Sequence, residues 1–279
     1  MPLTRLKKLD ELKEVSYSNH KIFIHRDHRY ILPIIFHAQN LKYLPKPSTL
    51  VFFDYHPDNI KVEDMTKITN ILQNGLNLDT LIDFCMNDLK KNDDDWLLTG
   101  IELGLIDDVV IFGVNSHFSS FPDDIYIDNN NIKHKIIIKH SHPGNLLHYQ
   151  GDLSDTARST ELESMWKILN WKFSPEMQCF NFYKNTKRII LDFDLDAFIV
   201  QWEEYLFPWP DEVFDDRYLK ESEYYTTNGW TGKKFVRKLI EKAGIITIAS
   251  EPTCCGNEVK SEIVFNKLNK YIFDDELKI

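Results

Sequence analysis

Two carboxylates and an imidazole follow one apolar run of the sequence at alternate positions. In "TLVFFDYHPDNIK" (49–61), the strand-forming residues stop at Asp54, and His56 and Asp58 come next. Aspartate and histidine side chains at this spacing can bind a divalent metal ion. A lone motif of this kind is more often a solvated turn, so a metal site requires further ligands from elsewhere in the chain.

Polar side chains also follow other strand-like runs. They are Asp192, Asp194 and Asp196 in "RIILDFDLDAF" (188–198), Asp27 and His28 after the run 21–25, and Glu251 after the run 245–249. Ligands of open parallel sheets bind at the carboxyl ends of the strands, so these side chains are expected to meet in one cleft. Carboxylates buried together would repel one another and would need a cation. A ligand set without thiolates favours two Mn²⁺-like ions, about 4 Å apart, over a closed structural zinc site.

Strand-like and helix-like segments alternate along the chain. We predict strands at 21–25, 49–54, 108–114, 134–140, 188–193 and 245–250, and helices near 29–40, 65–73, 77–91, 160–171 and 231–244. Thr231 is the predicted N-cap of the last helix, Gly244 its stop, and Thr160 with Glu163 a capping box. Near-continuous Val, Ile and Phe runs between helices predict an α/β fold with buried parallel strands covered by helices. We expect a single domain over residues 1–279, with 115–187 as a candidate insertion lining the site.

Composition excludes several classes of protein. The chain has 279 residues, is 43% hydrophobic and carries a formal net charge of −10, which argues against binding nucleic acid. The acidic balance fits either a cationic partner or simply a soluble surface. No apolar run approaches the roughly 20 residues of a membrane span, and no signal peptide is visible. The four cysteines form no CxxC pair, which favours a reduced, cytoplasmic protein.

Four motifs, taken in order, resemble those of the arginase/deacetylase (ureohydrolase) superfamily. "HRDHRYILP", "FDYHPDN", "DFDLDAFI" and "ASEPTC" correspond to the family's "GGDHS", "DAHxD", "SFDxDAxDP" and "EVNP". The second and third pieces are specific, whereas the first and last are weak alone. The resemblance runs from 22 to 256 and implies a three-layer arginase/deacetylase-like fold, with a mainly parallel central sheet and helices on both faces.

The resemblance also implies two Mn²⁺ ions per chain and a role for each ligand. One ion would be held by His28, Asp54, Asp58 and Asp194, and the other by Asp54, His56, Asp194 and Asp196, with Asp54 and Asp194 bridging. A shift of two residues in the third motif would use Asp192 and Asp194 instead, and this alternative stays open. Glu251 would face a substrate guanidinium, and Asp58 would move a proton toward the departing amine.

Departures from the family pattern indicate a particular branch. His25 and Arg26 replace the two glycines before the first histidine, and Ile199 and Val200 stand where the family has its third Asp and Pro. The histidine-bearing loop that follows "DAHxD" in free-arginine enzymes has no match near residue 70. The chain looks more like the divergent branch that contains peptide arginases. Those enzymes convert arginine residues of ribosomally made precursor peptides to ornithine and release urea.

Further candidates flank these motifs. His142, with His140 and His148 in "KHSHPGNLLHYQ", is the candidate proton shuttle or pocket wall, although surface histidines are the plainer interpretation. Trp202 and Trp209, around "YLFPWP", could wall a groove for a peptide, and the plainer interpretation is that they cover the core.

Three other functions compete with a peptide arginase. One is a small-molecule ureohydrolase acting on agmatine or guanidinobutyrate, and another is a catalytically silent module that binds a basic peptide. A single-zinc deacetylase is disfavoured because Phe52 stands where those enzymes have a further Asp, while Asp58 and Asp196 would be surplus acids. The sequence predicts no particular target arginine and no oligomeric state.

Overall fold

The computed structural model describes residues 3–9, 11–62, 64–90, 95–113, 125–139, 188–202, 204–220 and 231–278. The strands in these ranges are β1 (Lys13–Tyr17), β2 (His20–His25), β3 (Ser48–Phe53), β4 (Ile106–Phe112), β5 (Ile125–Ile127), β6 (Lys133–Lys139), β7 (Ile189–Asp194), β8 (Ile199–Trp202), β9 (Tyr205–Pro208) and β10 (Ala243–Ala249). The α-helices are α1 (Ile31–Asn40), α2 (Met65–Asn74), α3 (Leu78–Asn87), α4 (Trp96–Glu102), α5 (Asp211–Phe214), α6 (Gly232–Lys242) and α7 (Glu258–Phe273). Short 3₁₀ turns cover Leu3–Lys8, His28–Tyr30 and Leu195–Phe198, and a π-helical turn, Asp215–Leu219, continues α5.

Eight strands form one sheet in the order β1-β2-β10-β7-β3-β4-β6-β5. The inner pairs are parallel, and an antiparallel strand closes each edge, β1 against β2 and β5 against β6. The prediction of an α/β protein with a mainly parallel sheet is therefore confirmed. The order makes β2, β10, β7 and β3 neighbours, so the carboxyl ends of these four strands meet at one edge of the sheet.

Helices cover both faces of this sheet, because its inner strands are apolar on both sides. In β3, Val51 and Phe53 join the core cluster that contains residues of α6 and α7, whereas Leu50 and Phe52 join the cluster that contains residues of α1, α3 and α4. All four side chains are at most 2% exposed. Alternation along a strand sends successive side chains to opposite faces, which explains the run of apolar residues without polar interruption.

The ends of the helices follow their capping residues. Thr231 accepts a hydrogen bond from the Lys234 backbone N–H, so its predicted role as N-cap of α6 is confirmed. Asn257 caps α7 in the same way through Lys260. The prediction that Gly244 stops α6 is wrong, since the helix ends at Lys242 and β10 already begins at Ala243. Gly244 lies at an irregularity in the pairing of β10 with β7, where a Cβ would come within 2.4 Å of the Tyr43 carbonyl oxygen.

Other differences concern bounds and missed elements. The helix predicted at 77–91 ends at Asn87, and the acid-rich run 188–198 leaves the strand at Asp194 and continues as a 3₁₀ turn. The elements that were not predicted are β1, β5, the β8–β9 hairpin, α4, α5 and α7. The helix 160–171 and most of the candidate insertion 115–187 lie outside the described residues, and the single-domain prediction stays a prediction. Among the helices described, none combines the length and apolar character needed to span a bilayer.

Candidate metal centre

The predicted ligands gather where the four neighbouring strands end. Asp54 follows β3 directly, Asp194 is the last residue of β7, and His28 and Glu251 lie just beyond β2 and β10. The parallel register sets Ala249 of β10 beside His25 of β2 on one side and beside Asp194 of β7 on the other. The sheet therefore delivers side chains from four distant parts of the sequence to one place.

A first cluster surrounds the Nδ1 atom of His28. This atom lies 3.0 Å from Asp58 Oδ2, 3.0 Å from Asp194 Oδ2 and 3.4 Å from Asp54 Oδ2. All four side chains are at most 7% exposed. Three carboxylate oxygens converging on one imidazole nitrogen, away from solvent, match the oxygen-and-nitrogen donor set that Mn²⁺ accepts. This is the group that the sequence assigned to the first ion.

The other nitrogen of His28 points at Asp192. The Nε2 atom of His28 lies 2.7 Å from Asp192 Oδ2, and the hydroxyl of Thr247 donates to Asp192 Oδ1 at 2.5 Å. Asp192 is fully buried and both of its oxygens are engaged. It therefore supports His28 from behind, an arrangement common for ligating histidines. The geometry favours Asp194 and Asp196 as the ligand pair over Asp192 and Asp194.

A second cluster contains His56, Asp196 and Asp54. The Nδ1 atom of His56 lies 2.9 Å from Asp196 Oδ2 and 3.9 Å from Asp54 Oδ1. Asp54 belongs to both clusters, as expected for a bridging ligand. Asp194, the other predicted bridge, groups with His28 and Glu251. Its Oδ1 accepts the backbone N–H of Asp196 at 3.0 Å, which links it to the second cluster.

Backbone donors fix one oxygen of each carboxylate in the second cluster. The N–H of His56 donates to Asp54 Oδ1 at 2.6 Å, and the N–H of Tyr55 donates to Asp196 Oδ1 at 3.1 Å. The second oxygens, Oδ2 of Asp54 and Oδ2 of Asp196, are buried and make no well-aligned hydrogen bond with the part of the chain that is described, although His28 Nδ1 lies 3.4 Å from the first and His56 Nδ1 2.9 Å from the second. A buried carboxylate oxygen without a well-aligned donor is costly. A cation would satisfy both, so the residues present fit a metal ion.

The electrostatics of the clusters lead to the same conclusion. Burial, together with the charges of Asp58 and Asp196, raises the pKa of Asp54 well above its usual range. Burial and the charges of Asp196 and Glu251 do the same to the pKa of Asp194. Acids that resist ionisation because they repel one another are stabilised as carboxylates when a divalent cation enters. The clusters are therefore arranged to bind positive charge.

His28 carries the compensating charge within the chain itself. Burial alone would lower the pKa of His28, but Asp192 and Asp194 outweigh burial and raise it well above its usual value. For Asp58, burial would raise the pKa, and the hydrogen bond and charge of His28 outweigh that effect and lower it. The positive charge of the His28 imidazolium thus offsets part of the negative charge of the surrounding acids. A proton on Nδ1 would have to leave before this nitrogen could bind a metal.

Two of the acids have strained backbones. Asp58 has a φ of 47° and Glu251 a φ of 31°, in the left-handed region that non-glycine residues rarely occupy. Such conformations cost about 1–3 kcal/mol each and cluster at functional sites. Hydrogen bonds hold both residues in place: the Glu251 N–H donates to the Arg26 carbonyl at 3.0 Å, and Glu251 Oε1 accepts the His28 N–H at 2.8 Å. The indole N–H of Trp96 donates to Asp58 Oδ2.

The sequence did not identify Trp96 or Thr247 as part of this site. Trp96 begins α4, is 1% exposed, and its ring centroid lies 4.4 Å from that of His28. No local pattern marks this role, since it depends on how α4 packs against the sheet. A signal for Thr247 was available, because it is the polar residue in the apolar core of the strand "IITIAS".

A cavity of ≈ 280 Å³ adjoins the second cluster. His56, Asp196 and Cys254 line one part of it, and Ile199, Gln201 and Glu204 of the β8–β9 hairpin and its turn line another. Glu251 lies close to this wall, since its carboxylate falls within 4.8 Å of ligand atoms of Asp196 and Cys254. Burial raises the pKa of Glu251 to about 7. A substrate in the cavity would meet the second cluster, and Glu251 lies next to that cluster.

Some predicted residues do not enter the site as described. His140, His142 and His148 lie outside the described residues, as does the side chain of Trp202. Trp209 is 3% exposed and packs against the ring of Phe198 at 5.4 Å, so it belongs to the core, which was the plainer of its two interpretations, and it does not wall a groove. Among the described cysteines, Cys85, Cys254 and Cys255 are free thiols.

The chain matches none of the models of known protein families, and no curated protein matches it either.

Proposed function

We propose that this chain is a metal-dependent hydrolase that acts on the guanidine group of arginine residues in a peptide, giving ornithine and urea. The observation that carries the proposal is the position of Glu251. This carboxylate stands beside both clusters, within 4.8 Å of ligand atoms of His28 and Asp194 on one side and of Asp196 and Cys254 on the other. A carboxylate there is placed to bind a planar cation through paired hydrogen bonds.

The residues that would hold the metals are those of the two clusters. They are His28, Asp54, Asp58 and Asp194 for one Mn²⁺, and Asp54, His56 and Asp196, with Asp194 from the other side, for the second. When bound, two such ions supply a water molecule of lowered pKa and stabilise negative charge on the reacting group. The resemblance of the sequence motifs to those of ureohydrolases supports manganese and a pair of ions rather than one.

The side chains of this site would then orient the substrate and transfer protons. Glu251 would orient the guanidinium, which lowers the entropy cost of bringing its carbon to the nucleophile. Asp58 would take a proton from the attacking water and deliver it to the departing amine. Trp96, which donates a hydrogen bond to Asp58, fixes the direction of that carboxylate. The products are the ornithine side chain as its ammonium and one molecule of urea.

Two features support a peptide substrate: the sequence that follows the second motif, and the extension of the cavity to the β8–β9 hairpin. Enzymes for free arginine need groups that bind the α-carboxylate and α-ammonium, and the stretch "NIKVEDMTKITN" (59–70) carries no matching asparagine-and-histidine pattern. A site without such partners loses the specific binding that free arginine would need, but it tolerates a backbone amide on either side. The cavity also reaches exposed residues of the β8–β9 hairpin, where a polypeptide could leave the site.

Mass spectrometry of peptides gives the direct test. We expect the Mn²⁺-loaded protein to lower the mass of an arginine-containing peptide by about 42 Da per converted residue, the difference set by hydrolytic loss of urea. Urea should appear in equal amount, while the same peptide with lysine in place of arginine stays unchanged. Glu251→Gln, which keeps the shape of the side chain, should lose most of this activity and still bind two Mn²⁺ ions.

Three outcomes would contradict this proposal. Turnover of free arginine with untouched peptides would indicate a small-molecule ureohydrolase. Absence of turnover with tight binding of arginine peptides would indicate a silent binding module. Deacetylation of an acetyl-lysine peptide would exclude both guanidine hydrolysis and simple binding.

A further inference from the structure

The β8–β9 hairpin is fixed directly to the candidate metal centre. Its first strand begins at Ile199, immediately after the 3₁₀ turn that carries Asp196. The Trp209 N–H donates to the Phe198 carbonyl at 2.9 Å and closes the base of the hairpin. Lys260 of α7 donates from Nζ to the Leu206 carbonyl at 2.5 Å and holds β9 in place. The hairpin is therefore a supported wall rather than a free loop.

Glu204 stands in the turn between these strands, on the cavity that leads to the second cluster. Asp196 and His56 line the same cavity as Gln201 and Glu204, so the second cluster and the hairpin turn face one common space. Glu204 is exposed, and among the described residues it has no hydrogen bond or ion pair. By contrast, Asp211 on the next helix is paired with Lys267 at 2.7 Å and Lys270 at 3.1 Å.

A carboxylate on a cavity wall that has no partner among the described residues can attract a cation from outside the chain. Glu251, the acid proposed for the guanidinium, lies next to this cavity, because its carboxylate is within 4.8 Å of ligand atoms of Asp196 and Cys254, which line it. A second positive charge on the same ligand could meet Glu204 on the hairpin side of the cavity. The net charge of −10 adds a long-range attraction for a ligand with more than one positive charge.

We propose that Glu204 binds a second positive charge of the substrate and so selects arginine residues that have a basic side chain or a free amino group nearby in the peptide. This inference rests on the proposed function for the identity of the first charge. It assigns specificity, not chemistry, to Glu204, because the residue belongs to none of the groups of ligand atoms that form the two clusters.

Kinetics on matched peptides test the proposal. One peptide carries arginine next to lysine, a second has norleucine in place of that lysine, and each is made with a free and with an acetylated amino terminus. We expect Glu204→Gln to lower kcat/KM for the cationic peptides about threefold to fivefold through KM, the range of an exposed ion pair. The fully neutral-flanked peptide should be unaffected. Glu212→Gln removes an equal charge from α5, at a residue that does not line the cavity. It should leave kcat/KM unchanged for the cationic and the neutral peptides alike.

A charge reversal distinguishes recognition from a structural effect. Glu204→Lys should prefer a peptide with glutamate beside the arginine over one with lysine, because specificity follows the sign of the charge at the contact. Comparing the lysine peptide with the norleucine peptide, and the free with the acetylated amino terminus, shows which of the two charges Glu204 binds. An unchanged preference between cationic and neutral peptides in both Glu204 variants would overturn the inference.

Binding measurements separate this inference from the proposed function. If no peptide releases urea with the unaltered chain, the proposed reaction has failed. Fluorescence anisotropy with the same labelled peptides and the Mn²⁺-loaded protein then still reports on Glu204. A Kd raised by Glu204→Gln for the cationic peptide alone would support the second charge site, and equal Kd values would exclude it.

Discussion

The Nε2 atom of His28 lies 2.7 Å from Oδ2 of Asp192, while its Nδ1 faces the carboxylates of the first cluster. The two ring nitrogens thus have different tasks. Asp192 holds the ring and makes Nδ1 the nitrogen that is available to a metal ion. A pair of residues that are far apart in the sequence thereby sets both the orientation and the tautomer of one ligand.

The first prediction concerns Asp192. Asp192→Asn should weaken Mn²⁺ binding by about 10- to 100-fold, because it removes the support of a ligating histidine, but it should leave two ions per chain at saturation. Asp196→Asn should instead remove one ion. Isothermal titration with elemental analysis measures both. Loss of an ion in the Asp192 variant equal to that in the Asp196 variant would move the ligand pair back by two residues.

A second prediction concerns the bridging acids. Asp54→Ala and Asp194→Ala should each abolish binding of both ions, since the loss of a bridging carboxylate leaves each ion short of ligands. Glu262→Ala, at an exposed position of α7, serves as the matched control and should keep full binding. If either bridging variant retained two manganese ions per chain, the ligand assignment would be wrong.

Trp96 provides a third prediction. Trp96→Phe keeps an aromatic ring beside His28 and Phe52 but removes the indole N–H that donates to Asp58. The lost donor and the smaller ring should lower the free energy of unfolding by roughly 1–3 kcal/mol. The kcat for peptide conversion should also fall, by more than the loss of folded protein accounts for. Denaturant unfolding and peptide turnover, measured on metal-loaded protein, give the two quantities, and an unchanged kcat would argue against a role for Asp58 in proton transfer.

The fourth prediction is that manganese stabilises the fold more strongly as the pH rises. In metal-free protein, burial raises the pKa of Glu251 to about 7, and the pKa values of Asp54 and Asp194 are raised as well. Protonation of these groups stabilises the metal-free fold at low pH, and that contribution is lost as the pH rises through their folded pKa values. Bound metal replaces the protons and removes this loss.

The difference in Tm between manganese-loaded and EDTA-treated protein is the measurement. It should widen from about pH 5 to about pH 7.5, since ionised ligands bind the metal better. At a free Mn²⁺ concentration of about 100 times Kd, the stabilisation should reach roughly 2.7 kcal/mol. A difference that stays constant or narrows with rising pH would show that these acids do not hold the ion.

Local sequence predicted the inner part of the sheet and most of the site residues. Strands such as β3 and β7 are apolar on both faces, so composition identifies them, and the polar residues at their carboxyl ends could be expected to meet. Strand β1 escaped prediction because "KEVSY" is a charged, half-exposed edge strand without an apolar run. The β8–β9 hairpin was missed because the aromatic and proline residues of "YLFPWP" (205–210) are equally compatible with a loop.

The parts of the site that could not be predicted depend on contacts between distant elements. The support that Asp192 gives to His28 follows from the order of the strands, which local sequence does not encode. The left-handed backbone of Asp58 and its bond to Trp96 depend on how α4 packs.

The order of the strands also has a consequence for how the chain acquires its site. Glu251 and His28 contact each other although they are 223 positions apart, and β10, the last strand, is inserted between β2 and β7. Contacts of such high sequence separation form late, because a long loop must close before they can gain any energy. During synthesis, the acids of the first cluster leave the ribosome long before their partners from the last strand. The metal ion is therefore expected to bind the nearly finished fold rather than to direct its earliest steps.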